Sequence, residues 1–147
     1  MIAFLVYILA LAVILALWEI QIEGKNGWAE KLPCWRIEKG WIVRVMGGRP
    51  FTGYHLSLNL FMMAVIHFPV LFVSWDWRLE SLLLGSLIGI MVVEDFLWFI
   101  FNPHYGLKKF KKGEIWWHKN WWGPVPDFLL PALILACILI YSGRTSL

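Results

Sequence analysis

The chain has 147 residues and a formal net charge of +3. It is 60% hydrophobic and only 16% charged, where soluble domains run to about 45–50% apolar and about 25% charged residues. This balance excludes disordered, collagenous, coiled-coil and nucleic-acid-binding chains, and so much apolar surface in so small a body leaves no room for an ordinary soluble domain. An all-α integral membrane protein is the class that remains, and it predicts lipid as a partner and no nucleic acid.

A helix that crosses about 30 Å of hydrocarbon needs about 20 mostly apolar residues. Four runs approach that length. The first is Ile2–Trp18, seventeen residues without a charge. No basic residue precedes it and it is longer than the apolar part of a signal peptide, so it reads as a retained helix. The second runs from about His55 to Val73, the third from about Leu79 to Phe101, and the fourth, short, from Val125 to Tyr141. The expectation is a single membrane domain over 1–147 with interfacial segments at 19–54 and 102–124.

Residues 19–54 carry their own pattern. Trp35 and Ile37 alternate with Arg36 and Glu38, Lys39-Gly40 follows, and Trp41, Val43 and Val45 alternate beyond it. This period of two predicts a short β-hairpin over residues 34–45 lying on the bilayer as a cap. An interfacial helix accounts for the same residues nearly as well. Asn102-Pro103 ends the third helix, and Lys108-Lys109-Phe110-Lys111-Lys112 then favours anionic headgroups.

Lys and Arg placement sets the expected orientation. Six lie between the first and second runs (Lys25, Lys31, Arg36, Lys39, Arg44, Arg49) and five between the third and fourth (Lys108, Lys109, Lys111, Lys112, Lys119). Only Arg78 and Arg144 fall on the other side. Both long connections are therefore expected on the cytoplasmic face of a cell (inner) membrane, with both termini outside. Most of the 11 tryptophans then fall into two interfacial belts.

Glu94 and Asp95 are the residues that point to chemistry. They follow thirteen uncharged residues, Ser81–Val93, and precede Phe-Leu-Trp-Phe-Ile-Phe. A carboxylate at membrane depth costs at least about 2.5–3.5 kcal/mol and normally faces a protein interior or a wet cavity. Neighbours on a helix point about 100° apart, so Glu94 and Asp95 address different partners. Glu94 shares a stripe with Leu87 and Trp98, and Asp95 one with Ile88, Phe99 and Asn102. The Ser81, Gly85, Gly89 row is a packing face that carries neither acid. With the expected topology, Glu19, His55, Asn59, His104, His118 and Asp127 come to the same depth.

Imidazoles and carboxylates together suit a divalent metal such as Zn, Fe or Mn. Glu94, Asp95, His55, His104 and His118 are the candidate ligands, and Glu94, Asp95 and His118 the candidate catalytic groups. A haem is disfavoured, since mid-membrane His67 lacks a second axial histidine at its depth. HxxxH boxes, ExxH, GxSxG, P-loops and CxxC are all absent, and Cys34 and Cys137 form no disulfide framework. The leading expectation is a small multi-pass membrane enzyme acting on a lipid or amphiphile through a metal or acid–base site at the cytoplasmic interface. The alternative is a non-catalytic accessory subunit of a larger membrane complex, with other subunits or further copies of the chain as partners. A transporter is disfavoured, because four helices must oligomerise to enclose a path.

Overall fold

The computed structural model describes residues 2–144, and the chain is mostly helical there. In chain order it forms α1 (Ile2–Glu23), β1 (Arg36–Ile37), α2 (Trp41–Val45), β2 (Phe51–Thr52), α3 (Gly53–His67), α4 (Trp77–Phe101), α5 (Gly106–Lys109), β3 (Trp121–Trp122), β4 (Val125–Pro126) and α6 (Leu129–Arg144). A 3₁₀ turn at Phe68–Leu71, where Pro69 removes a donor, prolongs α3. Three segments are long and apolar enough to cross a bilayer: Ile2–Glu23, Gly53–Leu71 and Trp77–Phe101. They mark the chain as a membrane protein. The fourth helix has 16 residues, about 24 Å at 1.5 Å per residue, which is short of the hydrocarbon thickness.

The helix ends differ from the expected ones for local reasons. Asp76 accepts from the backbone N–H groups of Arg78 (3.1 Å) and Leu79 (2.7 Å), so α4 starts two residues before Leu79. Thr52 caps α3 through the N–H of His55 (3.3 Å). The helix α1 continues through Glu19 to Glu23, because both acids turn inward on the face of Ala16 and Ile20 instead of meeting solvent. Val125 and Pro126 pair with Trp122 and Trp121 as a β-ribbon, so α6 begins only at Leu129.

The helix α4 is the core of the bundle. Of its most apolar window 56% is buried, against 28% for α1 and 22% for α3. One side of α4 meets α1 and α3 through Ile8, Ala12, Leu15, Leu58, Met62, Leu83, Leu87 and Ile90. Its small-residue row meets α6: a Cβ on Gly85 would stand 2.8 Å from the backbone nitrogen of Ile140, and one on Gly89 3.8 Å from the Ala136 Cβ. Gly143 lies equally close to Leu82 from the α6 side. The expected packing role of that row is what the structure shows.

Consecutive long helices alternate in direction, so α1 and α4, which pack together, run the same way. Arg144 stacks on Phe4 at one end, while Asn102 donates to the Gly24 carbonyl (2.8 Å) at the other. Both long connections therefore cover the same end, which we call the polar end. There Trp98, Phe99, Ile115 and Trp117 form a second buried cluster with Ala16 and Ile20. Trp117 sits against Gly27, where a Cβ would overlap its ring and where φ is +62°, so only glycine serves.

The hairpin expected over residues 34–45 is corrected. Arg36–Ile37 does enter a strand pair, but its partner is Phe51–Thr52 in antiparallel register, and Trp41–Val45 is a short helix. Gly40 at φ +107° turns the chain out of the strand without folding it back. The Trp41/Val45 spacing is also i,i+4, and one helical turn puts both on the same exposed side with Val43 buried. Over five residues a period of two and a helical turn are indistinguishable by hydrophobicity.

Candidate functional site

A cavity of about 360 Å³ opens at the polar end. The helix α1 supplies Glu19 and Glu23, i and i+4 on one buried face; α3 supplies His55 and Asn59; α4 supplies Glu94, Asp95 and Trp98. Trp28, Arg49, Trp117 and Phe128 come from the connections, and deeper in, Leu87, Ile88, Met91 and Ala132 form an apolar wall.

Glu23 and His55 are held in place. The Glu23 carboxylate accepts from the N–H of Ala29 (2.5 Å), which pins Trp28 and Ala29 at φ +48° and +52°. Two consecutive non-glycine residues in the left-handed region cost on the order of 1–3 kcal/mol each, and such strain persists only where surroundings over-determine it. Its consequence here is to lay Trp28 on the His55 ring, centroids 4.1 Å apart and stacked. The opposite edge of His55 bonds Thr52 Oγ1 through Nδ1 (2.7 Å), and its Nε2 lies 3.9 Å from Glu23 Oε1. Asn59 donates to the His55 carbonyl (2.7 Å).

Arg49 lines the same cavity. Its guanidinium lies 4.5 Å from the Trp28 ring and 4.6 Å from the Phe128 ring, clamped between two aromatic faces. Burial pulls its pKa below the usual arginine range, and Asp95 and Asp127 oppose that shift. Arginine starts so high that it remains the cation of the site.

Glu94, Glu19, Asp95 and His118 are less satisfied. Glu94 is 5% exposed and Glu19 7%, both line the cavity, and among the described residues no hydrogen-bond donor meets either carboxyl. Asp95 turns toward the second connection, where its Oδ2 lies 3.5 Å from His118 Nε2. Among the described residues neither that oxygen nor either ring nitrogen of His118 has a hydrogen bond. The His118 ring is stacked on Phe128 (5.4 Å, 29°), and its backbone carbonyl accepts from Trp121 Nε1 (2.7 Å). The two adjacent acids thus address different partners, Glu94 the acids of α1 and Asp95 the second connection.

Of the five expected ligands, His55, Glu94 and Asp95 share the cavity and His118 lies directly behind Asp95. His104 is exposed and away from them, its backbone N–H donating to Asn102 Oδ1 (3.0 Å) and its carbonyl accepting from Lys109 Nζ (2.8 Å). Asp127 lines a neighbouring depression beyond His118. Among the described residues no three His, Cys, Asp or Glu side chains converge closely enough to hold a metal ion. Sequence reasoning missed Glu23, Trp28 and Arg49; the i,i+4 spacing of Glu19 and Glu23 on the stripe of Ala16 and Ile20 is the signal that reveals Glu23. Comparison with protein-family models, curated proteins and solved structures finds nothing that matches this chain.

Proposed function

We propose that the chain is a small multi-pass membrane enzyme that carries out acid–base chemistry on a lipid or similar amphiphile bound in the polar-end cavity. The observation that carries this reading is the Asp95–His118 pair, 3.5 Å apart with no competing hydrogen bonds, behind a cavity with an apolar floor. Asp95 faces the bound molecule and exchanges a proton with it, and His118, immobilised on Phe128, exchanges with Asp95 from behind. The apolar wall of Leu87, Ile88, Met91 and Ala132 suits a hydrocarbon chain.

The acid–base form is favoured over the metal form. Asp95 and His118 already meet, whereas Glu94, His55 and His104 would have to move to join them around a Zn, Fe or Mn ion, whose ligand bonds are only about 2.0–2.2 Å. The same reading places the polar end at the cytoplasmic face of a cell membrane, because eleven of the 13 Lys and Arg fall in the connections that cover it. In that arrangement Leu129–Arg144 is a fourth, short crossing that thins the bilayer locally, and the Lys108–Lys112 run touches anionic headgroups.

The test is conversion of lipid by the purified chain. In nanodiscs made from a total membrane extract, mass spectrometry should show one lipid or amphiphile class consumed over time. Asp95→Asn and His118→Gln should slow that consumption by about 100-fold or more, the usual contribution of a positioned acid or base. Equal rates in these variants would defeat the reading. A wild-type chain that converts nothing and purifies with larger membrane proteins would be an accessory subunit. Elemental analysis of the same preparation covers the metal form: stoichiometric Zn, Fe or Mn that Asp95→Asn removes would move the chemistry onto a metal.

A further inference from the structure

The cavity's chemistry also constrains what binds in it. Four carboxyl groups line it, Glu19, Glu23, Glu94 and Asp95, against the single guanidinium of Arg49. Two of the four are engaged, Glu23 by the Ala29 N–H and Asp95 by His118. Glu19 and Glu94 are more than nine-tenths buried, lie within electrostatic reach of each other, and open into the cavity without a donor. Two carboxyls that open into one space without a donor are a pair of acceptors. Their complement is a group rich in N–H donors that carries positive charge.

The surroundings narrow that group further. Trp28, Trp98 and Trp117 bound the same space, and aromatic faces attract cations, as the clamp on Arg49 already demonstrates in this chain. The apolar wall reaches from Asp95 two turns deeper along α4 to Leu87. There α3 and α6 both pack on α4.

We infer that the cavity takes an organic amine, its ammonium group seated between Glu19 and Glu94 and its substituent lying along Leu87, Met91 and Ala132. A primary ammonium has three donors, enough for both carboxyls. This inference rests on the proposed function, since it names the headgroup of the molecule on which Asp95 and His118 act. Such an amine comes either from the membrane, as a long-chain amphiphile, or from water, as a small soluble amine.

Full-length protein in phosphatidylcholine nanodiscs, with empty nanodiscs as the partition control, decides the matter by native mass spectrometry. Dodecylamine should bind once per chain, while dodecanol and dodecanoate, which share its tail, should not bind saturably. Glu94→Gln should weaken dodecylamine at least tenfold, and Glu19→Gln provides a second variant if the first inserts poorly. Displacement by propylamine assigns the ligand to the water-soluble source, and failure of propylamine to compete assigns it to the membrane. Equal binding of the alcohol or the acid, or undiminished amine binding in both variants, would overturn the inference. His118→Gln separates the two claims. It should abolish conversion and keep the amine; conversion that survives in His118→Gln faults the proposed chemistry, and amine binding that ignores Glu94 and Glu19 faults this inference alone.

Discussion

The two ends of the bundle use the same residue types to opposite effect. At the end away from the cavity, His67 on α3 meets Glu80 on α4 (3.2 Å) and the Met63 carbonyl (2.8 Å), and Glu80 also accepts from Trp75 Nε1 (2.9 Å). Each functional atom there has a partner, the side chains are about a fifth exposed, and Asp76 closes the helix end beside them. At the polar end, acids and histidines are more deeply buried and yet less satisfied: Glu19 and Glu94 have no donor, and Asp95 and His118 have only each other. Satisfied polar groups at helix ends account for themselves as structure. Unsatisfied ones kept in the interior come at a cost to stability, and under the proposed function a ligand offsets it.

The contrast can be broken most severely through the wall the cavity shares with the bundle. Gly85→Leu puts side-chain atoms where Ile140 and Leu139 already sit, 2.8–2.9 Å from the added Cβ. It should push α6, with Phe128 and Ala132, away from α4 and lower stability by about 2–3 kcal/mol. Thermal unfolding in nanodiscs checks this. An unchanged midpoint would mean that the α4–α6 contact does not frame the site.

A smaller effect sharpens the contrast from the satisfied end. Glu80→Gln keeps the shape and removes the charge that His67 and Trp75 address. It should cost about 1 kcal/mol, as a partly exposed charge-assisted bond does, and leave amine binding and lipid conversion untouched. A loss of conversion would show that this end takes part in function.

The spans were legible because a bilayer imposes length and hydropathy on Ile2–Trp18, His55–Val73 and Leu79–Phe101; the structure keeps the first and third within long helices and carries the second through a 3₁₀ turn as far as Leu71. Glu94 and Asp95 were legible for the same reason, since charge stands out in an apolar run. The cap was not legible. Arg36–Ile37 pairs with Phe51–Thr52 across an intervening helix, and no local pattern encodes a partner fourteen to sixteen residues away. Glu23 was missed because a charge was taken to end α1, when the helix instead carries two acids past the apolar run into the interior. Arg49 was read as one more basic residue on the inner face, and only the approach of Trp28 from one side and Phe128 from the other gives it a place in the site. Tyr105 is similar: its hydroxyl donates to the carbonyls of Lys25 (3.2 Å) and Asn26 (3.4 Å), and burial raises its pKa, a tie between the two connections that sequence separation conceals.

The central claim is that Glu19 and Glu94 serve a ligand and not the fold, and Glu94→Gln tests it most directly. The amide fills the same space and hydrogen-bonds, without the desolvation cost of a buried carboxylate. Thermal unfolding measured beside lipid conversion should show a midpoint level with or above that of the wild type while conversion is lost. A midpoint lowered as in Glu80→Gln, with conversion intact, would show that Glu94 is a structural acid and contradict the account.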